Sequence, residues 1–397
     1  MTKNNFRRVF LIVLDSVGIG HAKDAKKYGD EGANTILHID KEVKGLYLPT
    51  LEKLGLGNFD DYIKIKKINP HKNYIGRLAE KSLGKDTMTG HWEMMGLNIT
   101  KPFKTFTDTG FPEELINELS KKTGYGVIGN KSASGTEIIK ELGEEHLKTK
   151  KIIVYTSADS VLQIAANERI IPVEELYRIC EIAREITLKD EWKVGRVIAR
   201  PFEGTTSDNF KRTPRRHDYA LSPFSKTYLN YLKENNLDVI AVGKINDIFN
   251  GSGITRSIKT SSNNMGMDTV ISLAKEEFMG LCFVNLVDFD MEYGHRRDPL
   301  GYGKSLEEFD FRLSELLPNI SNDDLLILTA DHGNDPTAKG SDHTRENVPF
   351  ILYSPRFQSG AIIEIGDTFG NIGATIVDNF GIGTNNLLGI SILNKLK

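Results

Sequence analysis

Short apolar runs, spaced along the whole chain, dominate its hydrophobic pattern. They are rich in Val, Ile, Leu and Phe, which is typical of strands that are buried on both faces of a sheet. Runs of this kind predict strands at residues 9–14, 151–155, 194–199, 238–242, 281–287, 325–329 and 348–353.

Amphipathic stretches lie between these runs. Strands that alternate with helices favour an α/β fold with a parallel or mostly parallel sheet flanked by helices, because parallel pairs need a crossover connection. No repeat of fixed period and no low-complexity tract interrupts the pattern. The amphipathic stretches predict helices at residues 112–122, 136–147, 172–188, 224–234 and 306–317.

The chain length and the placement of polar residues suggest two domains. A chain of 397 residues exceeds one ordinary domain. Candidate catalytic aspartates and histidines fall near the two ends, while the middle supplies strand–helix units of its own. We therefore predict a core formed by residues 1–101 and 221–397, and a smaller α/β domain inserted at residues 102–220.

Composition and charge narrow the function classes. Hydrophobic residues make up 39% of the chain, charged residues 26%, and the net charge is −3, so no global basic field points to a nucleic-acid partner. Asp15 cuts short the first apolar run, and no segment approaches the length of a membrane helix. The two cysteines, Cys180 and Cys282, form no CxxC pair, so we expect a reducing, cytoplasmic environment.

The strongest local signal follows the run at residues 325–329, where Asp331 and His332 stand together. In open α/β sheets, ligands bind outside the carboxyl ends of the strands. A carboxylate oxygen and an imidazole nitrogen at such a position suit a divalent ion. A solvated turn with an Asx-type hydrogen bond is the alternative for this segment alone.

The same arrangement recurs after other apolar runs. Asp15 ends the first run, Asp290 follows the run at residues 281–287 with His295 five residues later, and His343 precedes the last run. Together with Asp331 and His332, these residues offer three carboxylates and three imidazoles. That set fits two adjacent divalent ions, which can clamp the attacking and leaving oxygens of a phosphoryl transfer.

A polar, glycine-bounded loop at residues 84–93 leads into a predicted helix and carries two threonines. Thr87 or Thr89 could be the N-cap of that helix, which is the usual role of such residues. The alternative is catalytic, because the free N–H groups and the dipole at a helix N-terminus favour a phosphate. A hydroxyl activated at that position can act as a nucleophile.

Several segments match motifs of a known family. They are residues 14–18 (LDSVG), 85–93 (KDTMTGHWE), 156–160 (TSADS), 212–219 (RTPRRHDY), 290–298 (DMEYGHRRD), 331–335 (DHGND) and 341–346 (SDHTRE). In these segments the chain resembles the prokaryotic phosphopentomutases of the alkaline phosphatase superfamily. The resemblance extends over essentially the whole chain, without a departure at a family motif.

The resemblance implies an alkaline-phosphatase-like core with two manganese ions and a cap formed by the insertion. Thr87 is then the phosphoacceptor that bridges the two ions. One ion is held by Asp290, His295 and His343, and the other by Asp15, Asp331 and His332.

The resemblance also implies that the cap and the hinge contact the substrate, and we place these contacts at Asp159, Arg196, Arg212 and Lys244. A guanidinium suits a bidentate grip on a phosphate that is not reacting. The alternatives are a surface arginine for Arg196 and a salt-bridge residue for Lys244.

The implied activity interconverts ribose 1-phosphate and ribose 5-phosphate, and the 2-deoxyribose pair, through phospho-Thr87 and a pentose 1,5-bisphosphate. Two Mn²⁺ or other divalent ions, activation by a sugar bisphosphate, and small sugar phosphates as the partners are expected with it. A cofactor-independent phosphoglycerate mutase ranks lower, because that family uses a serine nucleophile and a different Asp-to-His spacing. A simple phosphatase and a non-catalytic, metal-stabilised binding protein are further alternatives, and the latter leaves the Thr87 loop unexplained.

Overall fold

The computed structural model describes residues 5–69, 73–157, 160–340, 342–363 and 366–396. The chain divides into two compact units. The first unit comprises Met1–Pro102 and Pro223–Lys397, and the second comprises Phe103–Ser222. The second unit differs from the insertion predicted at residues 102–220 by no more than two residues at either end.

The strands are numbered in chain order across both units. Those of the first unit are β1 (Arg8–Leu14), β2 (Asn73–Leu78), β9 (Asp238–Val242), β10 (Arg256–Ile258), β11 (Gly280–Leu286), β12 (Asp324–Thr329), β13 (Val348–Tyr353) and β14 (Ala361–Ile362). Those of the second unit are β3 (Val127–Ser132), β4 (Ile152–Thr156), β5 (Val161–Asn167), β6 (Arg196–Glu203), β7 (Lys211–Arg212) and β8 (His217–Ala220).

The helices are numbered in the same way. Those of the first unit are α1 (Thr35–Glu42), α2 (Pro49–Lys53), α3 (Thr87–Met94), α7 (Tyr228–Glu234), α8 (Ile245–Ile248), α9 (Asn263–Leu273), α10 (Pro299–Leu316) and α11 (Gly370–Asn379). Those of the second unit are α4 (Glu113–Thr123), α5 (Gly135–Thr149) and α6 (Val173–Ile186). A π-helical turn covers Phe289–Gly294, and short 3₁₀ turns cover Ala25–Tyr28, Leu56–Asn58, Leu317–Asn319 and Leu393–Lys395.

The first unit is built on one sheet in the order β10-β9-β11-β1-β12-β13-β2-β14. Strands β10, β9, β11, β1 and β12 run parallel, and β13 runs antiparallel to β12 and to β2. The predicted mostly parallel α/β fold is therefore confirmed. Every residue of β1, β11 and β12 is buried, as their continuous apolar sequences predict.

The register of the central strands positions the site. Leu14 of β1 lies opposite Leu286 of β11, and Val13 lies opposite Thr329 of β12. Parallel strands in this register end together, so the segments that follow them emerge side by side at one edge of the sheet. Because β13 is antiparallel to β12, β13 starts at the same edge, and the segment that precedes β13 lies there too.

The second unit has a smaller mixed sheet in the order β3-β4-β5-β6-β7, with β8 also paired to β6. One face carries a core with α4 and α6, formed by residues such as Leu115, Ile179 and Val197. The other face packs α5 through Ile138 against Phe202 and their neighbours. The second unit thus has its own core on both faces of its sheet.

Two expectations from composition can be compared with the structure. Both Cys180 and Cys282 are buried free thiols. Within the described ranges, none of the helices combines the length and the apolar character that crossing a bilayer would need.

Candidate metal centre

The carboxyl edge of the first sheet brings together the residues predicted as metal ligands. Asp15 directly follows β1, Asp290 lies in the π-helical turn after β11, and Asp331 and His332 follow β12. His343 precedes β13 and reaches the same edge because of the antiparallel pairing. We call these residues, with His295 at the end of the π-helical turn, the metal-ligand cluster.

One half of the cluster surrounds His343. Its Nε2 lies 3.1 Å from Nε2 of His295 and 3.4 Å from Oδ1 of Asp290. Nε2 of His295 lies 3.1 Å from Oδ2 of Asp290. These three side chains are the predicted ligands of one ion.

The other half surrounds His332. Its Nε2 lies 3.5 Å from Oδ1 of Asp15 and 3.3 Å from Oδ2 of Asp331. The ring of His332 also stacks on that of His343 with 3.9 Å between centroids. His332 therefore joins the two halves, and its ligand atom also falls within 4.8 Å of those of Asp290 and His343.

The buried carboxylates have the bonding pattern expected of metal ligands. Asn285 donates to Oδ2 of Asp15 over 2.9 Å, and the backbone N–H of Ser16 donates to Oδ1 of Asp331 over 3.1 Å. The remaining oxygens, Oδ1 of Asp15 and Oδ2 of Asp331, are buried and lack a hydrogen-bond partner among the described residues. Each carboxylate is thus fixed through one oxygen and leaves the other for a cation.

The histidines are oriented by the same principle. Nδ1 of His343 lies 2.8 Å from the carbonyl oxygen of Lys85, and Nδ1 of His332 lies 3.1 Å from that of Gly333. A carbonyl only accepts, so each Nδ1 carries the proton and each Nε2 presents its lone pair to the cluster. This tautomer is the one that a divalent ion requires.

The electrostatics of the cluster favour a cation. Burial raises the pKa of Asp15, and the carboxylates of Asp331 and Asp290 raise it further. Burial also acts to raise the pKa of Asp331 and Asp290, but the histidines beside them, when protonated, outweigh it and hold both pKa values below the usual range. Burial lowers the pKa of His332, which favours its neutral, ligating form. The donor set and the orphaned oxygens therefore fit divalent ions.

The structure distinguishes the two threonines of the loop. Asp86 is the N-cap of α3 and accepts from both the backbone N–H and the hydroxyl of Thr89. Neither threonine is the N-cap, so that alternative is wrong for both. Thr87 is the first residue of α3, and its Oγ1 lies 3.2 Å from Nε2 of His332. Thr87 is thus the hydroxyl that faces the cluster.

Sequence reasoning assigned no role to Arg345, although it lies two residues beyond His343. Its guanidinium is buried and donates to the carbonyl oxygens of Gly84 and Glu80 and to the carboxylates of Glu80 and Asp24. Arg345 therefore fixes the start of the loop that carries Thr87. A charged residue directly beside a predicted ligand was the available signal.

His91 and Glu346 were also missed. His91 is buried; its Nδ1 donates to the carbonyl oxygen of Thr87 over 2.8 Å and lies 3.3 Å from Oδ2 of Asp331 without a hydrogen bond to it. Glu346 accepts hydrogen bonds from Gly20 and Thr35. It leaves no room for a side chain at Gly18, whose Cβ would fall 2.2 Å from the carboxylate. Both residues lie in the matched motifs, but burial could not be read from the motifs.

The predicted substrate residues fall in different places. Lys244 follows β9 at the carboxyl edge of the first sheet, and its Nζ lies 3.8 Å from Sδ of Met291. Asp159 lies outside the described residues. Arg196 begins β6 and lies 3.8 Å from Asp218.

The second sheet separates the backbones of Arg196 and Arg212. Arg212 pairs with Phe202, whereas Arg196 lies at the start of the same strand, six residues before Phe202. At a rise of about 3.3 Å per residue, that spacing corresponds to about 20 Å along β6. The structure therefore does not place these two arginines at one point of the sheet.

Comparisons with known proteins identify the family. The model of the Metalloenzyme superfamily matches residues 7–384. The chain is 57% identical to the phosphopentomutase of Clostridium perfringens (strain 13), over 99% of this chain and 100% of that protein. It is 56% identical to the phosphopentomutase of Clostridium tetani, over 98% of this chain and 99% of that protein.

A solved structure also shares the fold. The phosphoglycerate mutase of Leishmania mexicana superposes with a TM-score of 0.50 and 12% identity, covering 99% of this chain and 98% of that one. At this identity the likeness concerns the fold alone. The sequence matches carry the assignment, and the chain belongs to the phosphopentomutase family, a family of mutase enzymes within the metalloenzyme superfamily.

Proposed function

We propose that the chain is a mutase that interconverts ribose 1-phosphate and ribose 5-phosphate, and the corresponding 2-deoxyribose phosphates. The family supports a pentose phosphate as the substrate. The observation that carries the mechanism is the position of the Thr87 hydroxyl, 3.2 Å from Nε2 of His332 at the first residue of α3.

Thr87 is the proposed phosphoacceptor. As the first residue of a helix it lies where free backbone N–H groups and the helix dipole stabilise an anion. The hydroxyl of Thr89 is held by Asp86 and is buried, so it does not compete for the phosphoryl group. A phosphate on Thr87 would then be oriented by the fixed backbone of α3.

The metal ions are proposed as two Mn²⁺, with Asp290, His295 and His343 at one and Asp15, Asp331 and His332 at the other. When bound, such ions supply positive charge that neutralises a transferring phosphoryl group. The protein's own contribution is the fixed orientation of the ligand atoms by Asn285, Ser16 and the carbonyl of Lys85.

The proposed cycle starts with phospho-Thr87. The bond from phosphorus to the Thr87 oxygen breaks as a bond forms to the free hydroxyl of the pentose phosphate, whose proton passes to the Thr87 oxygen. The product is a pentose 1,5-bisphosphate. Its other phosphate then returns to Thr87, and the second monophosphate regains the proton. A sugar bisphosphate can start the cycle by phosphorylating Thr87, which is the proposed basis of activation.

A mutase of this kind must keep water from phospho-Thr87, because hydrolysis would end the cycle. We propose that the second unit acts as the cap that excludes water. Asp159, Arg196, Arg212 and Lys244 are proposed to contact the sugar phosphate, with Arg196 and Arg212 reaching different parts of it from opposite ends of β6. The buried thiols of Cys180 and Cys282 support a reducing cytoplasm as the place of action.

The test is a product assay on ribose 1-phosphate with and without Mn²⁺. We expect ribose 5-phosphate, in excess over free phosphate and dependent on the metal. Free phosphate as the main product would make the protein a phosphatase instead. Conversion of a phosphoglycerate, with none of the pentose phosphate, would also overturn the proposal.

A further inference from the structure

An open surface pocket of about 460 Å³ lies within the second unit, beside β6 and β7. Its volume is in the range of small-ligand sites. Three of its lining residues are arginines, and none of the described residues that line it is acidic. We call it the arginine pocket, lined by Arg200, Pro201, Arg212, Thr213, Pro214 and Arg216.

The register of the sheet explains why these charges converge. Tyr155, Gln163, Ile198 and Asp218 lie directly opposite one another across β4, β5, β6 and β8, so they share one face. Arg200 is two residues after Ile198 on β6 and points to the same face. Helix α5 covers the neighbouring part of this face, and the polar side chains occupy the rest.

Two of the arginines are oriented by neighbours. Gln163, which is almost fully buried, accepts from Nε of Arg200 over 3.0 Å. Arg216 donates to both carboxylate oxygens of Asp218 over 2.6 Å. Burial lowers the pKa of Arg200, and the charge of Arg216 lowers it further. Asp218 pairs with Arg216, and Glu168 pairs with Arg215 and Thr213, so the charges of Arg200 and Arg212 remain in excess.

The hydroxyl of Tyr155 is the second independent feature. It is buried, and its proton has no acceptor among the described residues. Burial raises the pKa of Tyr155, so the hydroxyl remains a donor at neutral pH. A buried donor without an acceptor costs free energy unless a ligand supplies one.

The N-terminus of α5 lies close to the Tyr155 hydroxyl and to Arg212. A Cβ at Gly135, the first residue of α5, would fall 2.7 Å from the Tyr155 oxygen and 3.3 Å from a terminal nitrogen of Arg212. Glycine at this position therefore allows the Tyr155 hydroxyl and the Arg212 guanidinium to approach the start of the helix closely. The first turn of a helix contributes free N–H groups and a partial positive charge, both of which favour an anion.

We propose that the arginine pocket binds the phosphomonoester group of a sugar phosphate, with Arg200, Arg212, Arg216, the Tyr155 hydroxyl and the first turn of α5 as its donors. Planar guanidinium groups match the oxygens of a phosphate, and a neutral hydroxyl completes the set. The identity of the sugar rests on the proposed function, which names a pentose phosphate. Arg196, at the other end of β6, is not part of this pocket.

The test compares Arg200→Gln and Tyr155→Phe with Lys211→Gln in the full-length, Mn²⁺-loaded protein. Tyr155→Phe keeps the buried ring and removes only the hydroxyl. Lys211 is the matched control, because it precedes Arg212 on β7 and faces the other side of the sheet. Calorimetric titration with inorganic phosphate, repeated in His343→Ala, separates binding in the pocket from binding at the metal-ligand cluster.

We expect Arg200→Gln to weaken phosphate binding about tenfold or more and Tyr155→Phe about fivefold, with Lys211→Gln unchanged and the site retained in His343→Ala. The same factor should appear in the KM for ribose 5-phosphate, with kcat little changed. Equal phosphate affinity in all variants would overturn the proposal. Weaker phosphate binding with an unchanged KM would assign the pocket to free phosphate and also overturn it. A wild type that forms no ribose 5-phosphate would refute the proposed function, and the titration would still test the pocket.

Discussion

The metal-ligand cluster and the arginine pocket both gather charged side chains on a sheet, but they hold them differently. In the cluster, Asp15, Asp331 and His332 are at most 3% exposed, and each is fixed by a backbone or amide group. In the pocket, Arg212 is exposed, and the side chain of Arg216 is 42% exposed and pairs with Asp218.

This difference matches two tasks. Groups that act on a reacting phosphoryl must already be in place, because reorganisation during the reaction raises the barrier. Groups that bind a phosphate which enters and leaves can instead exchange an ion pair for the ligand. The comparison predicts that changes in the cluster abolish chemistry, whereas changes in the pocket alter binding.

The largest effect is expected at Thr87. Thr87→Ala removes the proposed phosphoacceptor, so mutase activity should fall by more than about a thousandfold. Metal content should stay at the wild-type level, because the change leaves all six proposed ligands intact. The measurements are ribose 5-phosphate formation and metal analysis. Thr89→Ala is the control and should cost mainly the hydrogen bond from its hydroxyl to the N-cap residue Asp86, about 1.5 kcal/mol in stability. Full activity in Thr87→Ala would contradict the phosphothreonine mechanism.

A second large effect is expected at the ligands themselves. His343→Ala should lower metal content and activity together, because its Nε2 lies beside both Asp290 and His295. Chelation of the wild type should inactivate it reversibly. Elemental analysis and the product assay check both statements, and undiminished metal at both sites in His343→Ala would refute the assignment.

The sequence predicted the strands that carry the metal-ligand cluster better than those that form the arginine pocket. Continuous apolar runs identified β1, β11 and β12, and the residues that follow such strands necessarily meet at one edge of a parallel sheet. Strand β5 escaped detection because Gln163 and Asn167 interrupt its apolar pattern, although both are buried. The arginine pocket depends on that strand.

The supporting residues of the cluster were harder to predict. The role of Arg345 depends on contacts with Glu80 and Gly84, more than 260 residues away in the sequence. The distinction between Thr87 and Thr89 depends on which hydroxyl Asp86 accepts from. Local patterns contain neither kind of information, because both follow from tertiary packing.

An intermediate effect is expected at Arg345. Arg345→Met leaves the buried carboxylate of Glu80 without its cation, which should destabilise the fold by about 3–5 kcal/mol. It should also release the carbonyl of Gly84 and so loosen the Thr87 loop. Urea unfolding measures the first effect. Arg345→Lys is the control, since one ammonium cannot bridge Glu80, Asp24 and Gly84 together, and it should recover only part of the loss. Wild-type stability in Arg345→Met would show that this network contributes little.

The smallest effect concerns a buried histidine of the second unit, His146, which differs from His332 in that none of the described carboxylates affects its pKa. Its Nδ1 lies 2.6 Å from the carbonyl oxygen of Lys151, and its Nε2 accepts from the backbone N–H of Asn167. Burial lowers the pKa of His146 below its usual value of 6.5.

Above pH 6.5, His146 is unprotonated in both the folded and the unfolded protein, so it does not affect how the free energy of unfolding depends on pH. Below it the unfolded chain binds a proton that the folded chain does not. The free energy of unfolding should therefore decrease as the pH falls below 6.5, by at most about 1.4 kcal/mol per pH unit. His146→Gln keeps one donor and one acceptor and should remove this contribution. The check is urea unfolding of both proteins between pH 5.5 and 7.5, where parallel pH profiles would show that His146 does not titrate as its burial requires.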